Sequence, residues 1–113
     1  MTAVDEGTLR GLLDDMGGDV EVLRELIQSY LEEAPKLLGA ARAAVLAGDL
    51  AEAERAVHTL KSTSATFGAH ALSERSRESE VAARAGTLPS LERVDELARL
   101  FEAVRKELLA RLG

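Results

Sequence analysis

The sequence contains no cysteine and no tryptophan, and it has only three aromatic residues, one tyrosine and two phenylalanines. The absence of cysteine excludes a disulfide framework and a thiolate metal site. The two histidines do not stand in a zinc-binding spacing such as H-E-x-x-H, so we expect no metal centre of the chain's own. With so few aromatics, the core should be mostly aliphatic and should depend on alanine for close packing.

Long apolar runs and basic tracts are also missing. No run approaches the roughly 18 apolar residues that span a bilayer, and the N-terminus lacks a signal-peptide pattern. The net charge of −6 disfavours nucleic acid or an anionic membrane as the main partner. We expect residues 1–113 to form one cytoplasmic domain, too short to include a catalytic ATP-binding domain.

Apolar residues recur at steps of three and four along most of the chain, which is the pattern of amphipathic helices. The predicted helices run over 8–16, from the Asp19 cap to Gly48, over about 50–67, over about 70–85, and from the Ser90 cap onwards. These segments are joined by short connections. We therefore expect an all-α antiparallel four-helix bundle, with the short first helix across one end and residues 1–6 as a loose end.

Two of these helices have unusual features. Pro35 lies inside the second helix without changing the phase of its apolar stripe, so we expect a kink with the helix continuing. The 70–85 helix is poor in large apolar side chains, and Arg75 stands where a leucine is expected. We expect this helix to be locally loose or covered by a partner. The residues that it offers inward are Leu72, Ser76, Ser79, Val81 and Ala83.

His58 lies on the 50–67 helix but off its buried stripe, because it follows Val57 by one residue, about 100° around the helix. Lys61 stands one turn further on, within side-chain reach. A neutral imidazole, with a pKa of about 6.5, is a usable nucleophile toward phosphorus. The spacing alone leaves open that His58 is an ordinary exposed residue. Its face of the helix also carries Ala51, Glu54, Arg55, Ser62 and Ala65.

A seven-residue segment resembles the signature of histidine-containing phosphotransfer (Hpt) domains. It reads His58-Thr59-Leu60-Lys61-Ser62-Thr63-Ser64, against a family pattern of His-x-Leu-Lys-Gly/Ser-Ser/Ala-Ser/Ala. The family's Gly-Ala pair, ten residues after the histidine, is matched by Gly68 and Ala69. The Gly-Gly-Asp before the second helix and the Glu-Glu-Ala-Pro segment within it also look like the family, so that the resemblance extends over nearly the whole chain.

The resemblance implies a role for each site residue. His58 would be the phosphoacceptor of a multistep His-Asp phosphorelay, Lys61 its charge partner, and Ser62 the small residue that permits approach, although the family more commonly has glycine there. Glu80 and Arg84, twenty-two and twenty-six residues after the histidine, match positions where the family often places a polar group or a base. By themselves these two could also be solvated helix charges.

The resemblance also implies the partners. They would be response-regulator receiver domains or a hybrid sensor histidine kinase, and the receiver would supply the magnesium ion and the aspartate, so that this chain, expected to be a monomer, needs no cofactor. The alternative is a helical adaptor that docks a receiver or kinase without carrying phosphate. An enzyme acting alone ranks third, because the sequence shows no complete nucleophile, base and acid set. His70 is expected only to start a helix.

Overall fold

The computed structural model describes residues 2–112, and within them the chain forms five helices and no strand. The helices are α1 Glu6–Asp15, α2 Val20–Ala47, α3 Leu50–Thr66, α4 His70–Arg84 and α5 Leu91–Leu112. The four long helices α2–α5 form a bundle 43 Å long, and α1 packs on α2 and α3. The all-α, four-helix prediction is confirmed.

Short polar side chains fix where the helices begin. Asp5, Asp19 and Asp49 each have extended backbone and accept a hydrogen bond from an amide of the first helical turn. The Ser90 hydroxyl accepts the amide of Arg93 in the same way. Gly48 ends α2 with a φ of +69°, a left-handed conformation that favours glycine. The starts of α1, α2, α3 and α5 therefore follow from local side-chain chemistry that the sequence displays, whereas α4 begins after Ala69 without a side-chain cap.

The core is aliphatic except for one cluster that contains all three aromatic residues of the chain. The rings of Tyr30 and Phe67 stack with centroids 4.9 Å apart, and Phe101 meets Tyr30 edge-on at 5.8 Å. Burial raises the pKa of Tyr30 to about 12, although a 2.8 Å hydrogen bond with the Ser64 hydroxyl opposes the rise. The phenol is therefore neutral, and it ties α2 to α3 inside the core.

The N-terminal segment differs from the loose end expected over 1–6. Val4 is fully buried, and the Asp5 amide donates to the Gly68 carbonyl at 2.9 Å. The amides of Ala3 and Val4 donate to the Glu107 carboxylate of α5. With Asp5 as its cap, α1 starts at Glu6 rather than at residue 8. Residue 1 lies outside the described part of the chain.

Pro35 lies within α2, which continues without a break from residue 20 to residue 47. The proline side chain is exposed, so its ring does not disturb the packing of the buried stripe. Proline has no amide hydrogen, and the helix loses one internal hydrogen bond at this point. The prediction that the helix continues through Pro35 is confirmed, and the expected kink stays a prediction.

Helix α4 is packed by small polar residues instead of large apolar ones. The hydroxyls of Ser76 and Ser79 are buried and donate to the carbonyls of Leu72 and Arg75, four residues earlier. Their hydrogen-bonding capacity is therefore satisfied without water. The helix packs against both α3 and α5. Its inner face is therefore packed inside the bundle, which does not fit the expectation of a loose helix.

The expectation that Val81 of α4 points inward was wrong. Val81 is 53% exposed, and the residue before it, Glu80, is 1% exposed. The reason is helical phase, because residue 80 follows Ser76 by four positions and shares its buried face. Arg75 points outward and pairs with Glu96 of α5 at 3.3 Å. The charged Glu80 can be buried because the nearby cations Lys61 and Arg84 compensate it.

No helix in the described part of the chain is both long and apolar enough to cross a membrane.

Candidate functional site

The His58 ring projects from the middle of α3 towards solvent. Its side chain is 51% exposed, whereas the preceding residue, Val57, is fully buried. The neighbour one turn later, Ser62, is exposed and small. A second protein can therefore reach the imidazole without moving any part of the bundle.

Three side chains meet at the carboxylate of Glu80 on α4, and the His58 ring is one of them. One carboxylate oxygen, Oε2, accepts a hydrogen bond from His58 Nδ1 and a second from the Arg84 guanidinium at 3.0 Å. The other oxygen, Oε1, accepts from Lys61 Nζ at 2.7 Å. A carboxylate whose side chain is 2% exposed thus has charged or polar partners on both oxygens. Burial of such a group is tolerated only with partners of this kind.

The charge state of Glu80 determines which nitrogen of His58 is available. Burial raises the pKa of Glu80, but hydrogen bonds from Lys61 and His58 and the charges of Lys61 and Arg84 outweigh it, so that the pKa is lowered. The carboxylate is therefore ionised and can only accept hydrogen bonds. Nδ1 of His58 must carry the hydrogen, and in the neutral ring Nε2 keeps its lone pair.

The turn between α3 and α4 sets the register that places Glu80 beside His58. Gly68 has a φ of +77°, and a Cβ there would lie 2.9 Å from the backbone oxygen of Asp5. Ala69 is fully buried under the same segment. The Ser73 hydroxyl donates to the Lys61 carbonyl at 2.9 Å, which fixes α4 against α3. Only glycine fits at position 68, because both the backbone conformation and the space exclude a side chain.

A second layer of charges surrounds the ring. The Arg84 Nε donates to Glu54 Oε1 at 2.8 Å, so one guanidinium joins the carboxylates of Glu54 and Glu80. Arg55 pairs with Glu52 one turn earlier on α3. A shallow hollow beside the imidazole is lined by Ala51, Glu54, Arg55, His58 and Arg84. Sequence reasoning gave Glu54 no role, although its position four residues before His58 puts it on the same helix face.

A family model described as "Hpt domain" matches residues 25–107, nearly three quarters of the chain. This chain belongs to the Hpt family. Hpt domains carry a phosphoryl group on a histidine in phosphorelays and interact there with receiver domains and kinases. The residues that converge on Glu80 all lie within the matched range.

A comparison of structures gives the same fold. The Hpt domain described here is similar to the crystal structure of histidine-containing phosphotransfer protein B from Pseudomonas aeruginosa PAO1, with a TM-score of 0.89 and 24% identity. The match covers 97% of this chain and 94% of that chain. At this identity the likeness shows the fold of the whole domain, including α1. No curated protein matches the sequence.

Four further residues of this Hpt domain were predicted from the resemblance, and only some of them lie near the ring. They are Leu60, Ser62, Gly68 and Ala69. Leu60 is buried in the core and anchors the turn of α3 that carries His58 and Lys61. Ser62 presents only its small side chain to solvent, while its carbonyl accepts the Thr66 hydroxyl at 3.1 Å. Gly68 contacts the backbone of Asp5, and Ala69 is buried in the core.

His70 is the first residue of α4 and belongs to a different corner of the domain. Its Nε2 lies 3.2 Å from the Thr8 hydroxyl and 3.3 Å from Asp5 Oδ2. These contacts join α4 to the N-terminal segment. The structure does not bring His70 to the carboxylate of Glu80.

Proposed function

We propose that His58 is the phosphoacceptor of this Hpt domain and that the phosphoryl group is carried on Nε2. The observation that supports this most strongly is the hydrogen bond from Nδ1 to the buried carboxylate of Glu80. It orients the ring with Nδ1 towards the bundle, which leaves Nε2 as the nitrogen that a partner can approach.

In this proposal the donor is the phosphorylated aspartate of a receiver domain. The lone pair on Nε2 forms the N–P bond while the P–O bond of the acyl phosphate breaks, and the aspartate leaves as a carboxylate. The ring becomes an imidazolium that still carries its hydrogen on Nδ1. The negative charge of Glu80 offsets that positive charge, so the carboxylate stabilises the product ring as well as orienting the free ring. The reverse reaction passes the group to another receiver.

Three neighbours of His58 assist in this scheme. Lys61 and Arg84 place positive charge beside the ring, where it lowers the cost of bringing a phosphoryl group next to Glu80. Ser62 leaves room for the partner's active site to close over the imidazole. The magnesium ion and the acidic pocket belong to the receiver, as the family resemblance implies, and this chain supplies the nucleophile and the docking surface.

Phosphoryl transfer from a panel of phosphorylated receiver domains tests the proposal. The native chain should take up phosphate in an acid-labile and alkali-stable form, and His58→Gln should take up none. His70→Gln is the matched control and should behave like the native chain. If receivers bind the native chain but transfer no phosphate to it, the chain is a docking adaptor and the proposal is wrong.

The proposal extends to the setting in which the domain works. We propose a monomer in the cytoplasm whose partners are receiver domains and kinases, with neither nucleic acid nor a membrane among them. The net charge of −6 supports this, since nucleic acids and anionic membranes repel such a surface. Light scattering after size exclusion should give the mass of one chain, 12.1 kDa, and a dimer mass would contradict the monomer.

A further inference from the structure

The Arg84 guanidinium lies between two carboxylates that differ in their surroundings. Its contact with Glu80 is to a buried group that also holds His58 and Lys61. Its contact with Glu54, at 2.8 Å, is to a carboxylate 32% exposed, at the edge of the hollow beside the imidazole. Arg84 can therefore exchange Glu54 for another acceptor without leaving a buried charge unpaired.

A phosphoryl group on His58 would change the charge balance of this hollow. It brings close to two negative charges and three strong acceptor oxygens. The cations that line the hollow are Arg55 and Arg84, and each is paired with a carboxylate of α3. Lys61 is already paired with Glu80 on the inner side of the ring. The Nε donor of Arg84 is used by Glu54, so this donor can turn to the phosphoryl oxygens only by giving up that hydrogen bond.

We propose that Glu54 is a positioning residue that restrains Arg84 and thereby limits how strongly the domain stabilises its phosphohistidine. The inference rests on the proposed function of His58. In the free domain Glu54 holds the guanidinium at the rim of the hollow. After phosphorylation, Glu54 competes with the phosphoryl oxygens for the same donor. A relay intermediate benefits from this competition, since a phosphoryl group that is held too tightly would not pass to the next receiver.

The experiment uses the full chain and phosphoramidate as the phosphoryl donor, so no partner needs to be known. The Nε2 lone pair forms the new N–P bond as the P–N bond of the zwitterionic reagent breaks, and ammonia leaves. The pKa of the bound phosphoryl group is then titrated by ³¹P NMR, and the initial rate of phosphorylation is recorded. The variants are Glu54→Gln, Arg84→Gln and the double variant. Glu102→Gln is the matched control, because it removes the same charge from an exposed pair with Arg105 on α5.

Glu54→Gln should favour the phosphoryl dianion by about two- to fivefold, as expected for release of one exposed ion pair. This lowers the pKa of the phosphoryl group by about 0.3–0.7 and raises the rate of phosphorylation by a similar factor. Glu102→Gln should change neither quantity. In the Arg84→Gln background the effect of Glu54→Gln should be lost, because the residue acts through Arg84.

The experiment distinguishes a failure of the inference on Glu54 from a failure of the proposed function of His58. A native chain that takes up no phosphate overturns the proposed function of His58, and this inference with it. A phosphorylated native chain with unchanged values in Glu54→Gln overturns the inference alone. An effect of Glu54→Gln that is equally large with and without Arg84 also overturns it, since the carboxylate would then act by direct repulsion. Arg84 and Glu102 are exposed and Glu54 is partly exposed, and circular dichroism checks that each variant is folded.

Discussion

The two histidines of this domain have similar exposure but different surroundings. The side chains of His58 and His70 are 51% and 59% exposed, and each contacts a carboxylate. The carboxylate at His58 is Glu80, which is 2% exposed and paired with two cations, whereas Asp5 at His70 is 51% exposed. The comparison teaches that accessibility does not distinguish the proposed phosphoacceptor, His58, from His70. The two rings differ in that His58 has a buried, charge-compensated partner at one ring nitrogen.

Removing the charge of Glu80 should abolish most of the difference in reactivity that we expect between His58 and His70. Glu80→Gln keeps the size of the side chain but loses charge-assisted hydrogen bonds, which contribute about 1.5–3 kcal/mol each. We expect phosphoryl transfer to His58 to slow by about ten- to hundredfold, a factor that follows from losing one such bond. Asp5→Asn, the matched change at His70, should leave the rate unchanged. Equal rates for the native chain and Glu80→Gln would contradict the role given to the buried carboxylate.

Lys61 is the second feature that His70 lacks. Lys61→Ala removes one of the two cations on Glu80 and one positive charge near the ring. Transfer should slow by roughly tenfold, the effect of a single charged contact of about 1.4 kcal/mol, and should not be abolished. Rapid-quench kinetics with one phosphorylated receiver measures the rate. Complete loss of transfer in a folded variant would show that Lys61 has a further role.

The turn at Gly68, next to the corner around His70, should affect the stability of the fold. Gly68→Ala forces a side chain into a left-handed conformation and against the Asp5 backbone, so we expect a loss of about 2–5 kcal/mol in the free energy of unfolding. Gly39→Ala, within α2 and in open space, is the control and should raise stability by about 0.5–1 kcal/mol. Urea denaturation measures both. A stable Gly68→Ala variant would mean that the N-terminal segment is not tied down at this turn.

The smallest expected difference between Glu80 and Asp5 is in how each makes the free energy of unfolding depend on pH. The pKa of Glu80 in the fold is lowered from 4.5, so its contribution is fully present above that value and is lost as the pH falls through the lowered pKa. Asp5 also has a lowered pKa, through hydrogen bonds from Thr8 and His70, but it is exposed and solvent screens its contacts. Between pH 5 and 3, the free energy of unfolding should fall less steeply in Glu80→Gln than in Asp5→Asn. The opposite order would contradict the account.

Much of the fold could be predicted because its determinants are local. Asp19, Asp49 and Ser90 begin helices by their own side chains, and the apolar stripes fix which face is buried. The position of Val4 was not predicted, because its burial depends on a pocket formed by distant helices. The inward position of Glu80 was missed for a related reason. A buried carboxylate is acceptable here only because Lys61 of α3 joins Arg84 of α4 beside it, and the contact with Lys61 is a tertiary property.

The site shows the same division between local and tertiary information. The resemblance pointed to His58, Lys61, Glu80 and Arg84, and the structure brings these four side chains together. The roles proposed for them are still predictions. The sequence does not reveal that the carboxylate selects the ring nitrogen, because that depends on an angle between α3 and α4. Nor does it reveal the contact between Glu54 and Arg84, which are thirty residues apart.

The most direct test of the central claim is to identify the phosphorylated nitrogen. The chain is labelled with ¹⁵N-histidine, phosphorylated by a receiver domain that transfers to it, and studied by ¹H–¹⁵N and ³¹P NMR. The account predicts phosphorus coupling to Nε2 of His58 and an unmodified ring at His70. Phosphorus on Nδ1 of His58, or on either nitrogen of His70, would contradict the claim that the hydrogen bond to Glu80 directs the chemistry.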